Sequence, residues 1–242
     1  FNEPRFFWRY VKRLSLSNNC KYFIFKSSGE TLALNNASSR RILRRLRKEK
    51  CDVLGDYHFV MPYNIHFRFA DAFVKEIMVY NRKLSKIVVT NVLEGKRVFL
   101  KTNFIYNFLA WVIGIQRPGA TINSYFYRTD MNKCIKCMKC VRDCPVHNIH
   151  YEDSKIKFHH NCQMCMRCSF FCPTDAIGIG YINSWRVNGV YRFAAIEKNE
   201  ALELPYITED AKGFYRCFIR YFAEIDKAYS DYLKRQDDEL NN

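Results

Sequence analysis

The stretch CIKCMKCVRDCP places cysteines at 134, 137, 140 and 144 and a proline at 145. The stretch CQMCMRCSFFCP places them at 162, 165, 168 and 172, with a proline at 173. Each cysteine of the first run has a counterpart 28 residues later, and Ile149 matches Ile177 in the same way. A unit that occurs twice and stops is an internal duplication, not a solenoid array. Thiols so arranged can form disulfides, grip zinc or hold an iron–sulfur group.

Spacing separates the three. Disulfide frameworks belong to short secreted chains. This chain has 242 residues and 11 cysteines, and only Cys20, Cys51 and Cys217 lie outside the two runs. A reducing compartment with metal-bound thiolates is therefore expected. Structural zinc takes four ligands, commonly as two separated pairs. Here each run follows C-x2-C-x2-C-x3-C-P, the spacing of bacterial iron–sulfur proteins. Two-residue spacers let one loop wrap a cubane and set three sulfurs on three irons. The fourth cysteine begins the next segment and turns to the other cluster. Proline after it ends the ligand segment and removes a backbone donor. The expected sets are Cys134, Cys137, Cys140 and Cys172 for one [4Fe-4S] cluster, and Cys162, Cys165, Cys168 and Cys144 for the other.

On these motifs residues 122–183 resemble a two-cluster bacterial ferredoxin, with NIHYEDSKIKFHHN fitting the hairpin between the runs. The resemblance implies a pseudo-twofold βαββαβ fold that carries low-potential electrons. The wider chain resembles a flavodoxin-like domain fused to such a ferredoxin. The stretches KYFIFKSSGETLALNNASSRRILRRL, VLGDYHFVMPYNIHFR and CVRDCPVHNI carry that likeness. It implies an FMN loop near KSSGET, at Ser27, Ser28 and Gly29. The phosphate loop after the first flavodoxin strand and the loop covering one flavin face have no counterpart. With Phe1 standing where methionine is expected, the resemblance implies the later part of a flavodoxin fold, N-terminally incomplete.

The elements that must position the cysteines follow from periodicity. KYFIF reads as a buried strand, SRRILRRLRKEK as a basic helix with Ile42, Leu43 and Leu46 on one face, and DVLGDYHFVM as a second strand. That order predicts an α/β layer. Helices are expected over 71–94, stopped by Gly95, over 98–115, and over 208–236, capped by Thr208. The domain reading is 1–115 partial flavodoxin-like α/β region, 116–121 linker, 122–183 ferredoxin domain and 184–242 extension with a long helix. The fold class is thus α+β with an α/β part.

The formal net charge of +15 calls for an anionic partner. The apolar stretch 104–115 is too short and too polar to span a bilayer. It reads as a buried helix, with a helix lying on a membrane or partner surface as the alternative. Cys20, Cys51 and Cys217 read as buried free thiols, and His147, His150, His159 and His160 as surface or hydrogen-bonding residues. No nucleophile–base pair or carboxylate pair stands out, so no catalytic residue is assigned.

The reading is an electron carrier of a reducing, anaerobic cytoplasm. It docks an acidic redox partner, with no nucleic acid and at most peripheral membrane contact. The rivals are a flavin-dependent reductase whose clusters feed FMN, and a protein whose clusters are structural.

Overall fold

The computed structural model describes Glu3, residues 5–114 and residues 117–240. Phe1 and Gln116, on which two expectations above rest, lie outside the described residues.

Helix α1 (Arg5–Arg13) leads to strand β1 (Lys21–Ser28), a 3-10 segment (Ala33–Ser39), helix α2 (Arg40–Lys48) and strand β2 (Asp52–Val60). β1 and β2 pair in parallel, which requires a crossover of this kind. α2 closes over the pair through Leu46, which packs with Cys51 and Val53. Polar groups bind the layer from inside. Lys26 Nζ meets Asp56 Oδ2 at 2.9 Å, Ser39 Oγ donates to the same oxygen at 2.6 Å, and Leu100 N–H donates to Oδ1 at 3.0 Å. Val98 forms a parallel bridge to Gly55. A Cβ on Gly55 would lie 1.8 Å from the Val98 carbonyl oxygen, so only glycine permits that approach. The bridge holds Val98 in extended backbone. Helix α4 therefore spans only Phe104–Gly114, its Tyr106 N–H capped by Asn103 Oδ1 at 2.8 Å.

Helix α3 (Asp71–Leu93) ends as expected at Gly95, which has φ of 70°. Helix α9 (Arg216–Leu240) lies against it. Phe218 meets Phe73 edge-on at 4.8 Å, and Phe222 stacks on Tyr80 at 3.9 Å. The α9 stripe is thus core packing. Its start falls later than Thr208. Glu76 accepts the N–H groups of Tyr206 and Ile207, Thr208 Oγ1 donates to Asp210, and Gly213 turns the chain with φ of 59° before the helix begins.

Between these helices lie α5 (Arg117–Ser124), β3 (Tyr127–Thr129), α6 (Lys139–Arg142), β4 (Ile149–Glu152), β5 (Lys155–Phe158), α7 (Arg167–Phe170), β6 (Ile177–Ile179) and α8 (Phe193–Lys198). The connection expected at 116–121 is helical from Arg117 onward. From β3 to β6 the order is βαββαβ, with β3 antiparallel to β6 and β4 antiparallel to β5. Phe170 of α7 joins Phe73, Ile77 and Phe218 in the main core, so this unit is packed onto the rest.

Candidate iron–sulfur site

The 28-residue repeat in sequence is also a repeat in backbone. Lys136 and Met164 have φ of 54° and 50°, Met138 and Met166 56° and 57°, His147 and Asp175 48° and 51°. Left-handed backbone is uncommon outside glycine, and here it recurs at matched positions. It curls each run so that the cysteines two residues apart face one space. After each fourth cysteine the next turn aims an amide at its sulfur. Asn148 N–H donates to Cys144 Sγ at 3.2 Å and Ala176 N–H to Cys172 Sγ at 3.3 Å. Met164 N–H donates to Cys162 Sγ at 3.4 Å.

Two cavities result. Cys134, Cys137, Cys140 and Cys172 line the first, with Ile156 and Ile177 among its apolar walls. Cys144, Cys162, Cys165 and Cys168 line the second, with Tyr127, Ile149 and Phe158. Cys168 also borders the first. Each cavity thus gathers three cysteines of one run and the fourth of the other. All eleven thiols are free of disulfides. Among the described residues no three Cys, His, Asp or Glu side chains converge on a point that would suit a single metal ion.

The donor set fits an iron–sulfur cube: each cavity has the four sulfurs of its expected set, apolar walls, and amides already directed at sulfur. Burial pushes the Cys140 thiol up to about 11, and neighbouring Cys134 and Cys137 add to the shift. Burial also raises Cys162 and Cys168. Such walls disfavour a bare thiolate, and bound iron supplies the positive charge that sulfur then needs.

Tyr127 and Asp143 escaped the sequence reading. Tyr127 is buried at the second cavity, its ring edge-on to Phe158 at 5.4 Å and its hydroxyl 3.6 Å from Met166 Sδ. Burial raises its pKa, and the surrounding cysteines add to this. Asp143 lines the first cavity, 2.9 Å from Lys139 Nζ and 3.3 Å from Arg142 Nε. Arg167 borders both cavities. Asp143 adjoins Cys144 in the sequence, and that adjacency was the available signal. Arg167's reach depends on how the two runs pack, which no spacing states.

His147, His150 and His160 are exposed, and His159 sits against His150 with rings 4.7 Å apart. Cys51 is buried and Cys217 half-buried, but Cys20 is exposed, which corrects the expectation of three buried thiols. Cys20 sits in the turn before β1, where nothing packs over it.

At the expected FMN loop, Ser27 is exposed. Ser28 Oγ donates to the Glu30 carbonyl at 2.6 Å, accepts from Asn35 Nδ2 at 2.9 Å and lies 2.7 Å from His58 Nε2. A Cβ on Gly29 would sit 2.0 Å from the Tyr63 ring, so this glycine makes room for packing. A cavity of about 670 Å³ borders Ser27, Ser28 and Lys26, between α1, α2 and β1.

Comparison with known proteins bears on the cysteine unit. Residues 127–150 match the 4Fe-4S binding domain family. Over 49 residues the chain is 41% identical to the archaeal-type glutamate synthase (NADPH) of Dehalococcoides mccartyi, covering 19% of this chain and 10% of that protein. The match therefore spans about a tenth of that relative's length. No solved structure matches. The chain carries a 4Fe-4S domain of the iron–sulfur electron-transfer kind. The flavodoxin-like expectation gains no support from these matches.

Proposed function

We propose that this chain is an electron carrier with two [4Fe-4S] clusters, one on Cys134, Cys137, Cys140 and Cys172 and the other on Cys162, Cys165, Cys168 and Cys144. The observation that carries the reading is the sorting of eight sulfurs into two cavities, each lined by three cysteines of one run and the fourth of the other. When bound, such a cluster takes up and releases one electron. The chain's own part is to ligate, to exclude water with Ile156, Ile177 and Phe158, and to offer amide N–H groups that ease negative charge on sulfur. It also holds the loops still. Asn64 Nδ2 donates to the Cys165 carbonyl at 3.0 Å, and Asn188 Nδ2 donates to the carbonyls of Ser169 and Cys172, both at 3.1 Å. A rigid site changes little between redox states. Exposed Lys133 and Lys136 beside the first cavity suit an acidic partner protein.

Anaerobically purified protein should contain about eight irons and eight acid-labile sulfides per chain. A reproducible iron content of half that, or stoichiometric zinc in its place, would contradict the proposal.

A second reading adds a flavin, and the cavity bordering Ser27 and Ser28 favours it. Quenching of FMN fluorescence by the protein, lost on Ser28→Trp, would support it. Unquenched FMN would leave the electron-carrier reading alone.

A further inference from the structure

We propose that α4 and the helices packed beside it seat this protein on an anionic lipid surface. The inference is independent of the cluster assignment.

The first observation is that α4 is inside out. Phe104 and Ile105 are 82% and 62% exposed, and Phe108, Leu109, Trp111 and Val112 are exposed with them. The residues turned inward are Tyr106 and Asn107, each half-buried, and Ala110, fully buried. At 100° per residue the six outward side chains sweep an arc of about 160°. This overturns the expectation of a buried helix. A water-facing helix should carry its polar residues outside, so this face calls for an apolar cover.

The second observation is the charge around it. α1 contains four Lys or Arg and α2 six, and neither of these helices nor α4 contains Asp or Glu. These helices adjoin. Arg40 Nη1 donates to the Asn107 carbonyl of α4 at 2.6 Å, and the Arg41 guanidinium stacks 3.8 Å over the Trp8 ring of α1. Exposed Lys101 stands just before α4, and Arg44, Arg47 and Lys48 are exposed on α2.

Together these specify the cover. A second copy of the chain, laid face to face, would bring two sets of cations together. A nucleic acid would meet the cations but leave α4 against phosphate. A bilayer with anionic headgroups satisfies both, taking Phe104, Phe108 and Trp111 at the acyl boundary and the arginines at the phosphates. Among the described residues no helix is long and apolar enough to cross a membrane, so α4, about 16 Å long, would lie in the interface plane.

The test is co-sedimentation of the holoprotein with vesicles of phosphatidylcholine alone or mixed with phosphatidylglycerol. Binding to the mixed vesicles should be at least tenfold tighter and should weaken as salt rises. Phe108→Ser with Trp111→Ser should lose at least tenfold, with the circular dichroism and cluster absorbance of the parent. In the wild type, brominated lipid should quench tryptophan fluorescence. Absence of binding to the mixed vesicles would overturn the proposal, as would binding undiminished in the double variant. So would a wild-type dimer that the double variant abolishes, since a second copy would then be the cover.

Discussion

His58 shows how a single side chain can be read and tested. Burial first, and then the Lys26 cation, hold its pKa down to about 4 from an ordinary 6.5. The folded state therefore prefers neutral imidazole. As pH falls below about 6.5 the unfolded chain takes the proton first, so stability declines until about pH 4 and then levels. At about 1.4 kcal/mol per pKa unit, the loss is on the order of 3 kcal/mol. Denaturant unfolding from pH 7 to 4 should show that decline, and His58→Gln should flatten it. Charges at the cavities allow a second prediction. Lys139 lines the first cavity and is offset by Asp143, while Arg167 borders both cavities, so the net difference in charge between the two sites is small. Lys136→Gln with Lys139→Gln removes two cations and leaves Asp143 with one cationic neighbour, Arg142. Potentiometric titration should find the first cluster's potential lower by roughly 20–40 mV, the order of a screened charge contact. An unchanged potential would remove the tuning argument. The cysteines were legible because ligand spacing is a local property of sequence. Tyr127 was not, because its place beside Cys162 comes from β3 pairing with β6, where Tyr127 meets Ile179 far along the chain.

At the scale of elements, periodicity found α2, β2 and α3 nearly to their ends; it ended β1 three residues early and read it as buried, whereas Phe23 and Phe25 are exposed because nothing among the described residues packs over that face. It misjudged α4. A helix apolar all round reads as buried, but what lies beside it decides, and here its polar side took the inner position. It also placed the start of α9 too early, because the Thr208 hydroxyl donates to Asp210 instead of capping a helix, and Gly213 turns the chain before the helix begins. The flavodoxin likeness rested on the β1–α2–β2 pattern. That pattern is present, but its sheet has only two strands among the described residues. The layer hangs on Asp56, which is 2% exposed and gathers Lys26, Ser39 and Leu100 N–H. Asp56→Ala leaves an ammonium largely buried and unpaired, and burial already lowers the Lys26 pKa. The expected cost is about 3–5 kcal/mol. A urea midpoint unchanged from the parent would show that the ion pair does not hold the layer.

Across the whole molecule, one apolar core joins α3, α9 and the cysteine unit through Phe73, Phe218 and Phe170. The unit from β3 to β6 is therefore not a ferredoxin hung on a tether. Phe218→Ala should cost about 3–5 kcal/mol, and cluster absorbance should be lost in the same thermal transition as helicity. Two separate transitions would show independent units. The central claim concerns how the two halves of the duplication are joined, and paramagnetic resonance of the reduced protein tests it most directly. If the ligands cross, the spectrum of Cys144→Ser should match the defect of Cys165→Ser, and that of Cys172→Ser the defect of Cys137→Ser. If instead Cys144→Ser matches Cys137→Ser, each run holds its own cluster, and the crossed account is contradicted.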